Sequence, residues 1–305
     1  MGIWFWRQSM ASRNHENASS CSVASSLING RDMSSVIPGM AYHGGKQDLS
    51  RRIVSLVENL MADRKCFVDV FCGGCSVVCA MPSRYRCVAN DANPYLMAML
   101  RVLTSDVVSA SSYAVFDGHS SLRGLFPMPV TRECFDRARR AISDDFARDA
   151  LSEILAPAAE MLGTDKDTAC NAHIGWCGFI GSMHGVFFGK FGGRTSGSSS
   201  DVTYSNAACA LVTATVLKNN RVTLSCRDYS GIELHDKSLL FCDPPFDGSV
   251  CYSDTKYDKA EFIDWCRAMK GRGHSVVVHE VSMPDDFRRI ATIGRLDTSV
   301  GLYVL

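Results

Sequence analysis

The stretch Cys66-Phe-Val-Asp-Val-Phe-Cys-Gly-Gly-Cys75 decides the fold. It opens as a short apolar run broken only by Asp69 and ends in a Gly-Gly pair. Such a run predicts a buried strand that feeds a glycine turn, with a helix after it. Working outward, Arg86-Cys-Val-Ala89 repeats the pattern, stops at Asn90-Asp91, and gives way to Asn93-Pro94, which opens another helix. On the other side, Leu49, Ile53, Leu56, Val57 and Leu60 recur at helical spacing, so 47–62 reads as an amphipathic helix. The rhythm returns late in the chain as a helix over Ala207–Lys218, strands over Val222–Ser225 and Ser238–Cys242, a helix over Lys259–Met269 and a strand over Ser275–His279. Strand and helix in alternation predict an α/β fold with a parallel, doubly wound sheet.

Two segments depart from this rhythm. Residues 1–38 are rich in Ser, Asn and Arg and lack periodicity, so a poorly ordered extension is expected there. Residues 105–205 hold helical stretches near 131–162, then a Gly- and aromatic-rich stretch from His173 to Gly193, then polar Ser/Gly sequence. The economical division is a catalytic domain of 39–104 and 206–305, interrupted by an inserted module of 105–205. No internal repeat is present.

Composition sets outer limits. The 305 residues, 46% hydrophobic and 21% charged, suffice for a sizeable core. Lys+Arg and Asp+Glu stand at 32 each, so a nucleic-acid partner would have to be met by local basic clusters rather than by net charge. The 14 cysteines show no framework spacing. Cys72 and Cys75 have the spacing of half a zinc site, but no matching pair follows, and no metal is expected. There is no secretory signature and no apolar run of bilayer length, so reduced thiols, a cytoplasmic setting and no membrane partner are expected.

The strongest chemical signal is Leu239-Leu-Phe-Cys-Asp-Pro-Pro-Phe246. A buried strand runs into an acid, two prolines and an aromatic, at the strand end where doubly wound sheets bind ligands. Pro244 and Pro245 fix φ and lack N–H donors, leaving acceptor carbonyls. Asp243, those carbonyls and the ring of Phe246 together suit an amino group on a planar ring. Hydrogen bonds from a poorly nucleophilic exocyclic amine to Asp243 and a proline carbonyl would localise its lone pair. They would also stabilise the charge that develops on alkylation. Phe246 would stack on a base flipped from its duplex.

Three weaker signals accompany it. The turn at Gly73 lets a ligand approach the backbone, and Asp69 could meet a cationic amino group; a tight β–α turn alone would also want glycine. Asp91 could bond both hydroxyls of a ribose, or cap the next helix. Tyr42-His-Gly-Gly-Lys46 brings a cation to a turn before a helix, where it could meet a carboxylate or phosphate.

In this order, Tyr42-x-Gly-Gly-Lys46, Asp69-x-Phe71-x-Gly73, Asn90-Asp91-x-Asn93 and Asp243-Pro-Pro-Phe246 resemble the Dam-type (D12) class of adenine-N6 DNA methyltransferases, bacteriophage members above all. Cys226-Arg-Asp228-Tyr is similar to the family segment that contacts the cofactor adenine. Gly175-Trp-Cys-Gly-Phe179, Phe187-Phe-Gly-Lys-Phe-Gly192 and Pro284-Asp-Asp-Phe287 resemble stretches of phage members. The resemblance spans 40 to about 290. It implies a Rossmann-like methyltransferase sheet, S-adenosylmethionine as methyl donor, and a mainly helical target-recognition domain as the insertion. By match, Tyr42, Lys46, Asp69, Phe71, Gly73, Asp91 and Asp228 would serve the cofactor, and Asp243, Pro244, Pro245 and Phe246 the target base. Val70 stands where the family usually has Pro, and Cys75 where it usually has Gly.

The expectation is therefore site-specific methylation of N6 of a flipped adenine in double-stranded DNA, with no obligate protein partner. Arg137, Arg139, Arg140, Lys190 and Arg194 are the candidates for phosphate contacts, with Lys190 and Arg194 the pair expected to bind DNA. The alternatives are an N4-cytosine or RNA adenine methyltransferase, whose amine receptor would look similar, and a weakly catalytic cofactor-dependent DNA-binding protein. Glutamine methylation fits less well, because that chemistry usually places Asn where Asp243 stands.

Overall fold

The computed structural model describes residues 38–110, 120–193, 202–234, 237–245, 257–293 and 300–305. Its strands are β1 (Cys66–Asp69), β2 (Arg86–Asn90), β3 (Thr223–Ser225), β4 (Ser238–Cys242), β5 (Ser275–Glu280), β6 (Arg288–Thr292) and β7 (Gly301–Val304). They form one sheet in the order β3-β2-β1-β4-β5-β7-β6. The first five strands are parallel, whereas β7 lies antiparallel between β5 and β6.

Every residue of β1 and β4 is buried, which is why both read as mainly apolar runs, with Asp69 and Ser238 at their ends, rather than as alternation. On one face Cys66, Val68, Leu240, Val276 and Val278 pack against Phe262, Cys266 and Met269 of the helix Lys259–Gly271. Full burial of one such large apolar side chain contributes about 1.5–3 kcal/mol, so this face is a main source of the unit's cohesion. The chain runs outward from β1 through β2 to β3, then returns to place β4 on the other side of β1. That reversal makes the carboxyl ends of β1 and β4 the topological switch point, the place where sheets of this kind bind ligands. The mostly parallel seven-stranded sheet is compatible with a Rossmann-like methyltransferase fold.

These strands belong to a compact unit of residues 38–105 and 213–305, and residues 106–212 cluster as a second unit. In the second unit, helices Arg132–Arg140, Asp145–Leu162 and Lys166–Gly175 start at Thr131, Asp144 and Asp165. Each of these side chains accepts an N–H of the first turn. Gly163, at φ 63°, ends the long helix. A π-helical turn, Trp176–Ile180, extends the last helix. The Gly/aromatic stretch forms this unit's core. Phe135 contacts Phe188 and Phe191 at ring separations of 5.0 and 5.2 Å, and a Cβ on Gly178 would lie 2.4 Å from the ring of Phe187.

Candidate active site

The candidate site at the switch point is built from strand ends. β4 delivers Asp243, whose two oxygens are held from different elements. Lys46 Nζ lies 2.6 Å from Oδ2 and also donates to Gly44 O at 2.7 Å, while His279 Nδ1 lies 2.9 Å from Oδ1. Burial by itself would raise the Asp243 carboxyl. The Lys46 charge and then the His279 hydrogen bond outweigh it and hold the group below the ordinary carboxylate range, so Asp243 is ionised at neutral pH. Pro244 is buried and Pro245 half-buried; Phe246 lies outside the described residues.

β1 delivers Asp69, which is buried next to the first carboxylate. Burial and then the charge of Asp243 push its carboxyl well above the ordinary range, despite a hydrogen bond from the Val78 backbone. Among the described residues its Oδ1 is buried without a hydrogen-bond partner. β2 leads to Asp91, whose oxygens accept Gly73 N–H at 3.0 Å and Asn93 N–H at 2.9 Å. It does not cap the following helix. Asn93 does, accepting from Tyr95 and Leu96 N–H. Burial raises Asp91 and the two N–H bonds oppose the rise.

The glycine turn between these acids is tightly packed. A Cβ on Gly73 would come within 2.9 Å of the Tyr42 ring, and one on Gly74 within 2.6 Å of Met40 O. Gly73 (φ 44°) and Cys75 (φ 63°) both adopt left-handed backbone. Position 75 therefore uses a conformation suited to glycine, yet carries a fully buried side chain whose sulfur lies 3.7 Å from Cys72 Sγ.

Phe71 belongs to an aromatic group, with ring centroids 5.7 Å from Tyr229 and 5.8 Å from Phe262. Asp228 Oδ1 caps the short turn Tyr229–Gly231 by accepting from Ser230 N–H at 3.0 Å. Lys190 is exposed in the second unit, and Arg194 lies outside the described residues. Arg137 is paired with Glu133 at 2.7 Å, while Arg139 and Arg140 are exposed.

Two polar residues gain roles that the sequence reading did not assign. Asn90 donates to Val70 O and Arg227 O, both at 3.0 Å, and accepts Arg227 N–H at 3.1 Å, tying the end of β1 to the segment before Asp228. His279, buried near the end of β5, bridges Asp243 and Ile293 O. The signal for His279 was available: a polar ring at the carboxyl end of a central parallel strand lies where such sheets bind ligands.

Among the described residues no cluster of three or more His, Cys, Asp or Glu could hold a metal, and no helix is long and apolar enough to cross a membrane. Comparison with curated proteins gives no match. Residues 42–125 match the family model described as D12 class N6 adenine-specific DNA methyltransferase, a span that holds Tyr42, Lys46, Asp69, Gly73 and Asp91 and ends before Asp243. This stretch is thereby identified as a D12 class N6 adenine-specific DNA methyltransferase domain, and the match supports an adenine-specific DNA methyltransferase as the activity.

Proposed function

We propose that this chain methylates N6 of an adenine flipped out of double-stranded DNA, with Asp243 as the receptor for the target amine. The observation that carries this reading is an ionised, nearly buried carboxylate at the switch point, directly followed by two prolines and flanked by Asp69 and Asp91 at neighbouring strand ends. S-adenosylmethionine would supply the electrophilic methyl group.

The residues present fit that cofactor. Asp69 Oδ1 is a buried acceptor that a cationic amino group would satisfy. Gly73 and Gly74 keep the turn bare where side chains would collide with Tyr42 and Met40. Asp91 is fixed by two backbone donors and retains lone pairs for ribose hydroxyls. Tyr42, Lys46, Phe71 and Asp228 complete the proposed cofactor set.

Asp243 stays charged because Lys46 and His279 favour the ionised form, so it opposes the positive charge that develops on the amine. It holds and orients the amine rather than removing a proton in advance. The carbonyls of Pro244 and Pro245 can only accept, which adds to the same receptor. Phe246 is proposed to stack on the flipped base, residues 105–205 to read the target sequence, and Lys190 with Arg194 to meet phosphates.

The test is transfer of a labelled methyl group from S-adenosylmethionine to unmethylated plasmid DNA, followed by nucleoside analysis. N6-methyladenine is the expected product. N4-methylcytosine alone would reassign the base, and label in RNA or protein alone would overturn the DNA reading.

A further inference from the structure

His279 is buried, with 2% of its surface exposed, one residue before the end of β5, after the core residues Val276, Val277 and Val278 and before the buried Glu280. A histidine so placed must direct its ring nitrogens to specific partners. Nδ1 faces Asp243 Oδ1 at 2.9 Å, and Nε2 faces the Ile293 carbonyl at 3.3 Å. An ionised carboxylate can only accept, so Nδ1 is the donor in the contact with Asp243. The ring therefore sits between backbone at one end and the carboxylate that it grips at the other.

The geometry points to His279 as a positioning residue that sets the orientation of Asp243. This inference rests on the reading of Asp243 as the amine receptor. Lys46 alone could not do the same, because its flexible stem lets Nζ follow the carboxylate wherever it rotates. The imidazole plane cannot follow. With Oδ1 held by His279 and Oδ2 by Lys46, the carboxylate is gripped at both oxygens. Since β4 and β5 are hydrogen-bonded neighbours, the grip is made across adjacent strands of the sheet rather than from a loop.

The two ends of the ring can be tested separately. Asn carries its amide nitrogen near the position of Nδ1, and Gln carries its own near Nε2. His279→Asn keeps the donor to Asp243, whereas His279→Gln keeps only a polar group near Nε2, facing Ile293, and loses the grip. The experiment measures single-turnover methyl transfer to unmethylated plasmid DNA for both variants and for Asp243→Asn, with S-adenosylmethionine titrations alongside. Loss of one hydrogen bond to a charged group predicts a rate about tenfold to a hundredfold lower in His279→Gln, with cofactor affinity unchanged. His279→Asn is expected to recover most of that loss. Equal rates for both variants and the native chain would overturn the inference, as would a loss confined to His279→Asn or a parallel loss of cofactor binding. If Asp243→Asn is inactive while His279→Gln is normal, only the positioning role falls; if Asp243→Asn is itself normal, the receptor reading falls with it. A double-mutant cycle of Asp243→Asn and His279→Gln in thermal melts reads the contact without any catalysis. Coupled destabilisation supports the grip, and strict additivity overturns it.

Discussion

Lys46 Nζ lies 2.6 Å from Asp243 Oδ2, and the two side chains are only 11% and 16% exposed. A lysine from the turn before the helix Ser50–Glu58 thus neutralises the acid that follows β4, nearly two hundred residues later. The pair keeps Asp243 ionised in a place where burial alone would favour the neutral acid.

Removing Lys46 should therefore leave a buried, poorly compensated carboxylate. Lys46→Met is expected to cost stability on the order of 3–5 kcal/mol at neutral pH, the range for breaking one partner of a buried pair. The sign with pH follows from the depressed Asp243 carboxyl. Its stabilisation is fully present above the unfolded value and is lost as pH falls through the lower folded value. The gap in melting temperature between the native chain and Lys46→Met should accordingly narrow as the medium is acidified below the ordinary carboxylate range. A gap that stays constant with pH would show that Lys46 stabilises the fold by packing instead.

Cys75 makes a second prediction. Its left-handed backbone, φ 63°, carries a penalty of roughly 1–2 kcal/mol for a residue with a Cβ. Cys75→Gly removes that penalty but also a buried thiol and some rigidity of the unfolded chain. The melting temperature is expected to hold or rise slightly. Cys75→Val adds a branched Cβ at the same φ and should destabilise by more than the glycine variant in any circumstance. Thermal melts of the two variants decide it; a glycine variant less stable than the valine variant would contradict the account.

Asp69 gives the third. Its carboxyl is pushed well above the ordinary range by burial and by Asp243, so part of the population is protonated in mildly acidic solution. A cationic amino group placed beside it favours the ionised form, so cofactor binding should release protons. Affinity for S-adenosylmethionine should therefore rise with pH between the ordinary carboxylate value and the raised Asp69 value, then level off. Calorimetric titrations in two buffers of different ionisation enthalpy measure the release. Asp69→Asn should weaken binding and abolish the release, while proton release that persists in this variant would place the titrating group elsewhere.

Much of this arrangement was legible in the sequence, for reasons that particular residues make plain. β1 and β4 read correctly because both are buried on every residue, so composition alone marks them. β6 and β7 did not. Arg288-Arg-Ile-Ala-Thr292 pairs on one side only within the described sheet, is largely exposed and carries charge as edge strands do, and Gly301–Val304 runs antiparallel to β5, outside the alternation of strand and helix. Asp69, Asp91 and Asp243 could be placed from the chain because each follows an apolar run at a strand end. Their mutual influence could not, since it depends on the spatial order of β2, β1 and β4 rather than on their sequence order. His279 was read only as the end of a strand because its partner lies 36 residues away and its anchor is a backbone carbonyl, which no side-chain motif records. The helix cap fell to Asn93 rather than Asp91 because Asp91 spends its oxygens on Gly73 and Asn93 N–H groups.

The central claim is that the negative charge of Asp243, and not its shape, drives methyl transfer, and Asp243→Asn tests it most directly. Asn keeps the size and one acceptor oxygen but removes the charge that opposes the cation forming on the amine. Single-turnover transfer of labelled methyl to unmethylated plasmid DNA should slow on the order of a hundredfold or more, as for other single electrostatic groups in active sites. Titration of S-adenosylmethionine under the same conditions should give nearly native affinity. A variant that binds the cofactor normally and methylates at the native rate would contradict the account and reduce Asp243-Pro-Pro to a turn after a strand.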